Sequence, residues 1–128
     1  MEKKYELTTP EFAGGALGRI RALRSFGDVK AGETGGFVES ERNLSQNGNA
    51  WVGGNALVFG NAWVGDDALV SDDARVFDDA QVSGKARVSG HAWVFGDAEV
   101  GGDAEVGGQE RVGGGIIQTT RTETQTAH

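Results

Sequence analysis

The sequence predicts an all-β fold, a solenoid of triangular coils stacked along one axis. Three observations carry that expectation. Eleven valines from Val52 to Val112 stand six residues apart without a break. Ten alanines from Ala50 to Ala104 keep the same beat two residues ahead. A six-residue period matches neither a helix nor plain strand alternation, but it suits a chain that turns a corner every six residues. Phe59, Phe77 and Phe95 recur at eighteen residues, as Ser71 and Ser89 do. Three hexapeptides therefore make one coil, and neighbouring coils stack as parallel rungs about 4.8 Å apart.

Each position of the repeat has a physical reason. Val points into the prism from the middle of a side, where a β-branched side chain suits extended backbone. Ala fits the crowded corner, where nothing larger packs. Gly, Asn and Asp occupy the corners, at Gly54-Asn55, Gly60-Asn61, Asp72-Asp73, Gly90-His91 and Gly96-Asp97, because they tolerate the positive φ of tight turns. A short prism has open β edges at both ends, so caps or a partner subunit are expected.

The units Val52-Gly53-Gly54-Asn55-Ala56-Leu57 through Val100-Gly101-Gly102-Asp103-Ala104-Glu105 resemble the hexapeptide repeat of left-handed parallel β-helix proteins. That resemblance implies a left-handed parallel β-helix with three hexapeptides per coil. It implies no particular reaction, because the family spans acyltransferases, carbonic-anhydrase-like enzymes and catalytically silent proteins. The leader is also informative. Arg19-Ile20-Arg21-Ala22-Leu23, Phe26-Gly27-Asp28-Val29-Lys30-Ala31-Gly32, Gly35-Gly36-Phe37-Val38-Glu39-Ser40 and Asn43-Leu44-Ser45 resemble the start of hexapeptide-repeat proteins of phages and prophages. That group has no established common activity, and the resemblance implies a phage or prophage setting.

Three segments are expected: a small N-terminal β cap over 1–37, the β-helix over 38–115 and a C-terminal piece over 116–128. Val38 and Leu44 are already six apart and Leu44 to Val52 is eight, so a two-residue insertion falls around Asn47-Gly48. Beyond Gly113-Gly114-Gly115 the pattern ends, and Thr120, Thr122, Thr124 and Thr126 alternate as a further strand or a polar tail.

Composition narrows the function classes. The 128 residues include 22 Gly, one Pro and no Cys, which removes disulfides and cysteine zinc sites. No apolar run approaches a membrane span and no signal-peptide core follows the first residues, so the cytoplasm of a bacterial host is the expected location. Residues 49–128 carry five basic against twelve acidic residues, which accounts for the net charge of −7. Duplex DNA and anionic membranes are poor partners for such a surface.

Sorting outward residues onto the three sides gives the functional candidates. One side displays Leu57, Phe59, Arg75, Phe77, Trp93, Phe95 and Arg111; a second has Trp51, Leu69, Arg87 and Glu105; the third has Trp63, Gln81 and Glu99. The first is too apolar to leave in water. It is expected to form a homo-oligomer interface, dimer or trimer, or to lie under the cap, and it is also the candidate ligand-binding side. A host protein or a nucleotide-like small molecule fits its rings and arginines. Arg19, Arg21 and Arg24 of the cap are candidate phosphate-binding residues, with a solvated strand face as the plain alternative.

The expected role is therefore non-catalytic binding of a host factor or small ligand, as a counter-defence protein. Two other readings stay open, a structural β-helical assembly module and an acyltransferase-like enzyme. Acyltransferases of the resembled family use a general-base His. The candidates here are His91 and His128, and His91 sits at a corner where stacked coils carry Asn55, Asp73 and Gln109. No cofactor and no metal are expected, because Asp66-Asp67, Asp72-Asp73 and Asp78-Asp79 fall on successive corners instead of converging on one point.

Overall fold

The computed structural model describes residues 3–12 and 17–117. Two antiparallel strands, β1 (Tyr5–Phe12) and β2 (Leu17–Ala22), lead into β3 (Thr34–Val38), and a 3₁₀ turn follows at Glu41–Asn43. Two-residue rungs then follow, each ending on the inward residue: β4 (Trp51–Val52), β5 (Leu57–Val58), β6 (Trp63–Val64), β7 (Leu69–Val70), β8 (Arg75–Val76), β9 (Gln81–Val82), β10 (Arg87–Val88), β11 (Trp93–Val94), β12 (Glu99–Val100), β13 (Glu105–Val106), β14 (Arg111–Val112) and β15 (Ile116–Ile117).

The rungs sort into three stacks, one per side of the prism, parallel throughout except where β1, β2 and β3 pair antiparallel on the first side. The first side runs β1-β2-β3-β5-β8-β11-β14, the second β4-β7-β10-β13 and the third β6-β9-β12-β15. This is a parallel β-helix of eighteen-residue coils, Val52 pairing with Val70 and Val70 with Val88. The repeat valines and alanines line one continuous buried core. No helix among the described residues is long and apolar enough to cross a membrane.

Register shows where the spacing changes. Val38 pairs with Val58 and Leu44 bridges to Val64, each twenty residues away, so two extra residues enter between Leu44 and Val52. At the far end Val100 pairs with Ile117, seventeen residues away, so the turn at Gly113–Gly115 is one residue short. Ile116 and Ile117 thus add a rung to the third side. The alternating threonines from Thr120 onward lie outside the described residues.

Corners are built alike. The first corner residue has positive φ at each step from Gly48 to Gly108, and from Ala56 to Ala104 the amide of the repeat Ala closes the turn, as from Ala56 to the Gly53 carbonyl at 3.1 Å. Asp66, Asp72 and Asp78 hold this conformation on the three corners of a single coil, with φ of 55°, 59° and 61°. Their carboxylates accept from the amides of Gly84, Gly90 and Gly96, one coil on, at 3.0 to 3.1 Å. The acidic pairs are therefore turn residues that also tie one coil to the next.

Only the partial coil through Val38 and Leu44 precedes the first full coil, and the leader supplies contacts that a complete coil would have given. Asn43 Nδ2 donates to the carbonyls of Gly60 and Ala62, which correspond to the Asp78 and Ala80 carbonyls that Asn61 and Trp63 amides bind one coil later. Glu39 Oε1 accepts from the Gly60 amide as Asp78 does from Gly96. Lys4 Nζ, like Asn43 Nδ2, donates to carbonyls, those of Gly48 and Ala50 at another corner. Trp51, expected on an outer face, is instead buried: the edge of Phe26 meets it at 5.4 Å, and Gly35 lies so close that a Cβ there would overlap its ring.

Candidate functional site

The side expected to be apolar is assembled on one sheet. Leu57, Arg75, Trp93 and Arg111 stand in register down β5, β8, β11 and β14. The column also continues upward, because Phe37 pairs with Leu57 and Arg19 of β2 pairs with Phe37. By sequence pattern Arg19 groups with Arg21 and Arg24 as a candidate phosphate-binding residue, and Phe37 falls on none of the three sides. The signal was present: Phe37 precedes Val38 as Leu57 precedes Val58, disguised by the two-residue insertion.

A second column flanks the first. The rings of Phe59 and Phe77 stack at 5.1 Å and 3°, and those of Phe77 and Phe95 at 5.3 Å and 8°. Phe95 ends the stack over Gly113, where a Cβ would stand 2.8 Å from its ring. Large side chains repeat every coil here, so each ring covers part of the next. The result is a ladder of half-buried rings.

The two columns touch. Phe77 meets Trp93 edge to face at 5.8 Å, and the guanidinium carbons of Arg111 and Arg75 lie 4.1 and 5.5 Å from the Trp93 ring centre. Arg19 repeats the contact on Phe37 at 4.2 Å while donating to the Gly35 carbonyl at 2.8 Å. Positive charge on an otherwise acidic prism is thus held against its aromatic rings, an arrangement that stabilises by cation–π attraction.

The cap covers only the upper end of this side. Leu17, Phe37 and Leu57 are buried together with Phe59 packed against them. Phe77, Trp93 and Phe95 remain half-exposed on the lower part. The three cap arginines do not converge. Arg21 pairs with Glu6, Arg24 lies 5.9 Å from the ring of Phe26, and only Arg19 joins the aromatic side.

The corner that carries His91 is different in kind. His91 Nδ1 stands 3.7 Å from Asp73 Oδ2, and both side chains are exposed. A shallow depression there is lined by Gly54, Asn55, Asp72, Asp73, Gly90 and His91. All six are turn residues. Among the described residues, no three His, Cys, Asp or Glu side chains gather to hold a metal ion. His128 lies outside the described residues.

With the stacked coils and the aromatic side in place, the class of protein is defined: a β-solenoid repeat protein. Residues 50–66 match the sequence model of a family described as the YdcK β-solenoid repeat. That span is close to one coil, and over it the chain is similar to that family. No curated protein matches the chain.

Proposed function

We propose that the protein is a non-catalytic binding protein that self-associates through its first side and holds a host factor or small ligand there, in the manner of a phage or prophage counter-defence protein. One observation carries this reading: the half-exposed Phe77–Phe95 stack beside Trp93, whose ring has Arg75 and Arg111 against it. Rings stacked on three successive coils and left half-exposed offer apolar area that a partner can bury. Aromatic and arginine side chains are the residues that concentrate binding energy.

The arrangement favours a protein surface over a stacked base. Trp93 already has its own arginines against it, so an incoming ring would have to displace a guanidinium. A phosphate-bearing ligand instead meets the outer edges of Arg75 and Arg111, where charge-assisted hydrogen bonds form. Three rungs left uncovered by the cap, at ~4.8 Å, and a side of about five residues give a face of roughly 240 Å², about a third of what each partner buries in a standard interface. Self-association through this face alone is therefore concentration-dependent.

Sedimentation velocity across a concentration series, with native mass spectrometry of gently purified protein, tests the proposal. Oligomer that dissociates on dilution, and that Phe77→Asp converts to monomer, supports it. A discrete retained mass lost in the Arg75→Ala, Arg111→Ala double variant assigns the ligand to this side. Monomer at every concentration, with no retained mass or partner, sinks both parts.

A further inference from the structure

We propose that Asn47 is a site of spontaneous deamidation, built into the two-residue insertion that starts the first full coil. The reaction needs an unbonded main-chain amide nitrogen next to an Asn carboxamide. Asn47-Gly48 supplies it at an exposed corner. Among the described residues, the side-chain amide of Asn47 and the main-chain amide of Gly48 make no hydrogen bond, so both the electrophile and the nucleophile are free.

The other four asparagines are guarded. Asn43 is buried and held through both side-chain atoms. Asn55 and Asn61 are each followed by an Ala whose amide closes the corner turn, to the Gly53 and Phe59 carbonyls. Asn49 precedes Ala50, which is buried and whose Cβ hinders attack. On the same corner as Gly48, the amide of Gly84 is held by an Asp carboxylate, that of Asp66. Gly48 has no coil before it to provide one.

Gly48 is not there by chance. It has φ of 70°, and a Cβ would stand 2.5 Å from the Asp66 carbonyl oxygen. The missing side chain that lets the coils stack is also what leaves the nitrogen open to attack. In the reaction the Gly48 nitrogen bonds to the Asn47 side-chain carbonyl carbon and loses its proton, and ammonia leaves as a succinimide closes. Water then opens the ring to aspartate or to isoaspartate. The isoaspartyl product adds one methylene to the main chain and one carboxylate beside Lys4, whose Nζ lies 3.5 Å from the Asn47 carbonyl oxygen.

Incubation of the native protein at mildly alkaline pH, followed by peptide mapping that separates aspartyl from isoaspartyl products, reads the site directly. Conversion at Asn47 ahead of the other four asparagines, with one ammonia released per converted chain and none from that peptide in Asn47→Gln, is the expected result. Urea-unfolded protein serves as the reference for intrinsic reactivity. An Asn47 that converts when unfolded but stays intact when folded overturns the proposal, as does earlier conversion at any other asparagine of the folded chain.

Discussion

Lys4 Nζ donates to the Ala50 carbonyl at 2.7 Å and lies 3.4 Å from that of Gly48. Those two oxygens correspond, one coil earlier, to the Ala68 and Asp66 carbonyls, which the Trp51 and Asn49 amides bind. One side chain thus stands in for two backbone donors of a coil that does not exist. Lys4 is fully buried in consequence, with its ammonium 4.9 Å from the ring centre of Phe26.

Burial, with the Arg24 charge as a second cause, lowers the Lys4 pKa from its usual 10.5 to about 8. Between those values the unfolded chain binds more protons than the native one, so stability rises with pH. The gain reaches about 2 kcal/mol by pH 10. Above pH 10 the buried Tyr5 acts in the opposite sense, because burial raises its pKa and the unfolded chain ionises first. Urea unfolding at pH 7, 8.5 and 9.5 should show the rise in the native sequence and none in Lys4→Met. Parallel curves for the two proteins would show that Lys4 is not the titrating group.

Asn43 offers a cap test without a change of charge. Its Nδ2 serves two carbonyls, and its Oδ1 accepts from the amides of Glu39 and Ser40. Asn43→Ala strands these groups at a buried position, so a loss of about 3 kcal/mol is expected from urea midpoints. A loss under about 1 kcal/mol would mean that water replaces the side chain and that the cap mimicry is incidental.

The regular coils were legible because inward position, corner and period repeat in every hexapeptide from Val52 to Val112. The two-residue insertion was legible for the same reason, as a change from six to eight between Leu44 and Val52. The cap's contacts were not, because Lys4, Glu39 and Asn43 bind backbone oxygens and amides that lie 17 to 46 residues away and carry no residue-type signal. Trp51 was misread for a related reason. Its phase marks it as outward, but Phe26 of the cap reaches over it. On the candidate side, periodicity gave both columns from Leu57 downward, and only the pairing of β2 with β3 showed that Arg19 and Phe37 extend one of them.

Asp72 combines positive φ with a bond from its carboxylate to the Gly90 amide at 3.0 Å. Asp72→Ala removes the bond and keeps a costly backbone conformation, for an expected loss of about 1 to 2 kcal/mol. Asp72→Gly removes the bond but relaxes the backbone, so its loss should be clearly smaller. Thermal unfolding of the two variants checks the order. Millimolar calcium should leave the melting temperature of the native sequence unchanged, since these carboxylates sit on separate corners; a rise that Asp72→Asn abolishes would reinstate a cation site there.

Phe77 is the central ring of the aromatic side, stacked between Phe59 and Phe95 and touching the edge of Trp93. Phe77→Ala removes both stacking contacts and a half-buried ring, so the monomer should lose about 2 kcal/mol in urea unfolding. Phe77→Leu keeps bulk but not stacking and should lose roughly half as much. If this side binds a partner copy, Phe77→Leu weakens association beyond its effect on monomer stability, read by sedimentation under conditions where both proteins are folded. Unchanged association would place the interface elsewhere on the prism and leave the ring stack as a brace between coils.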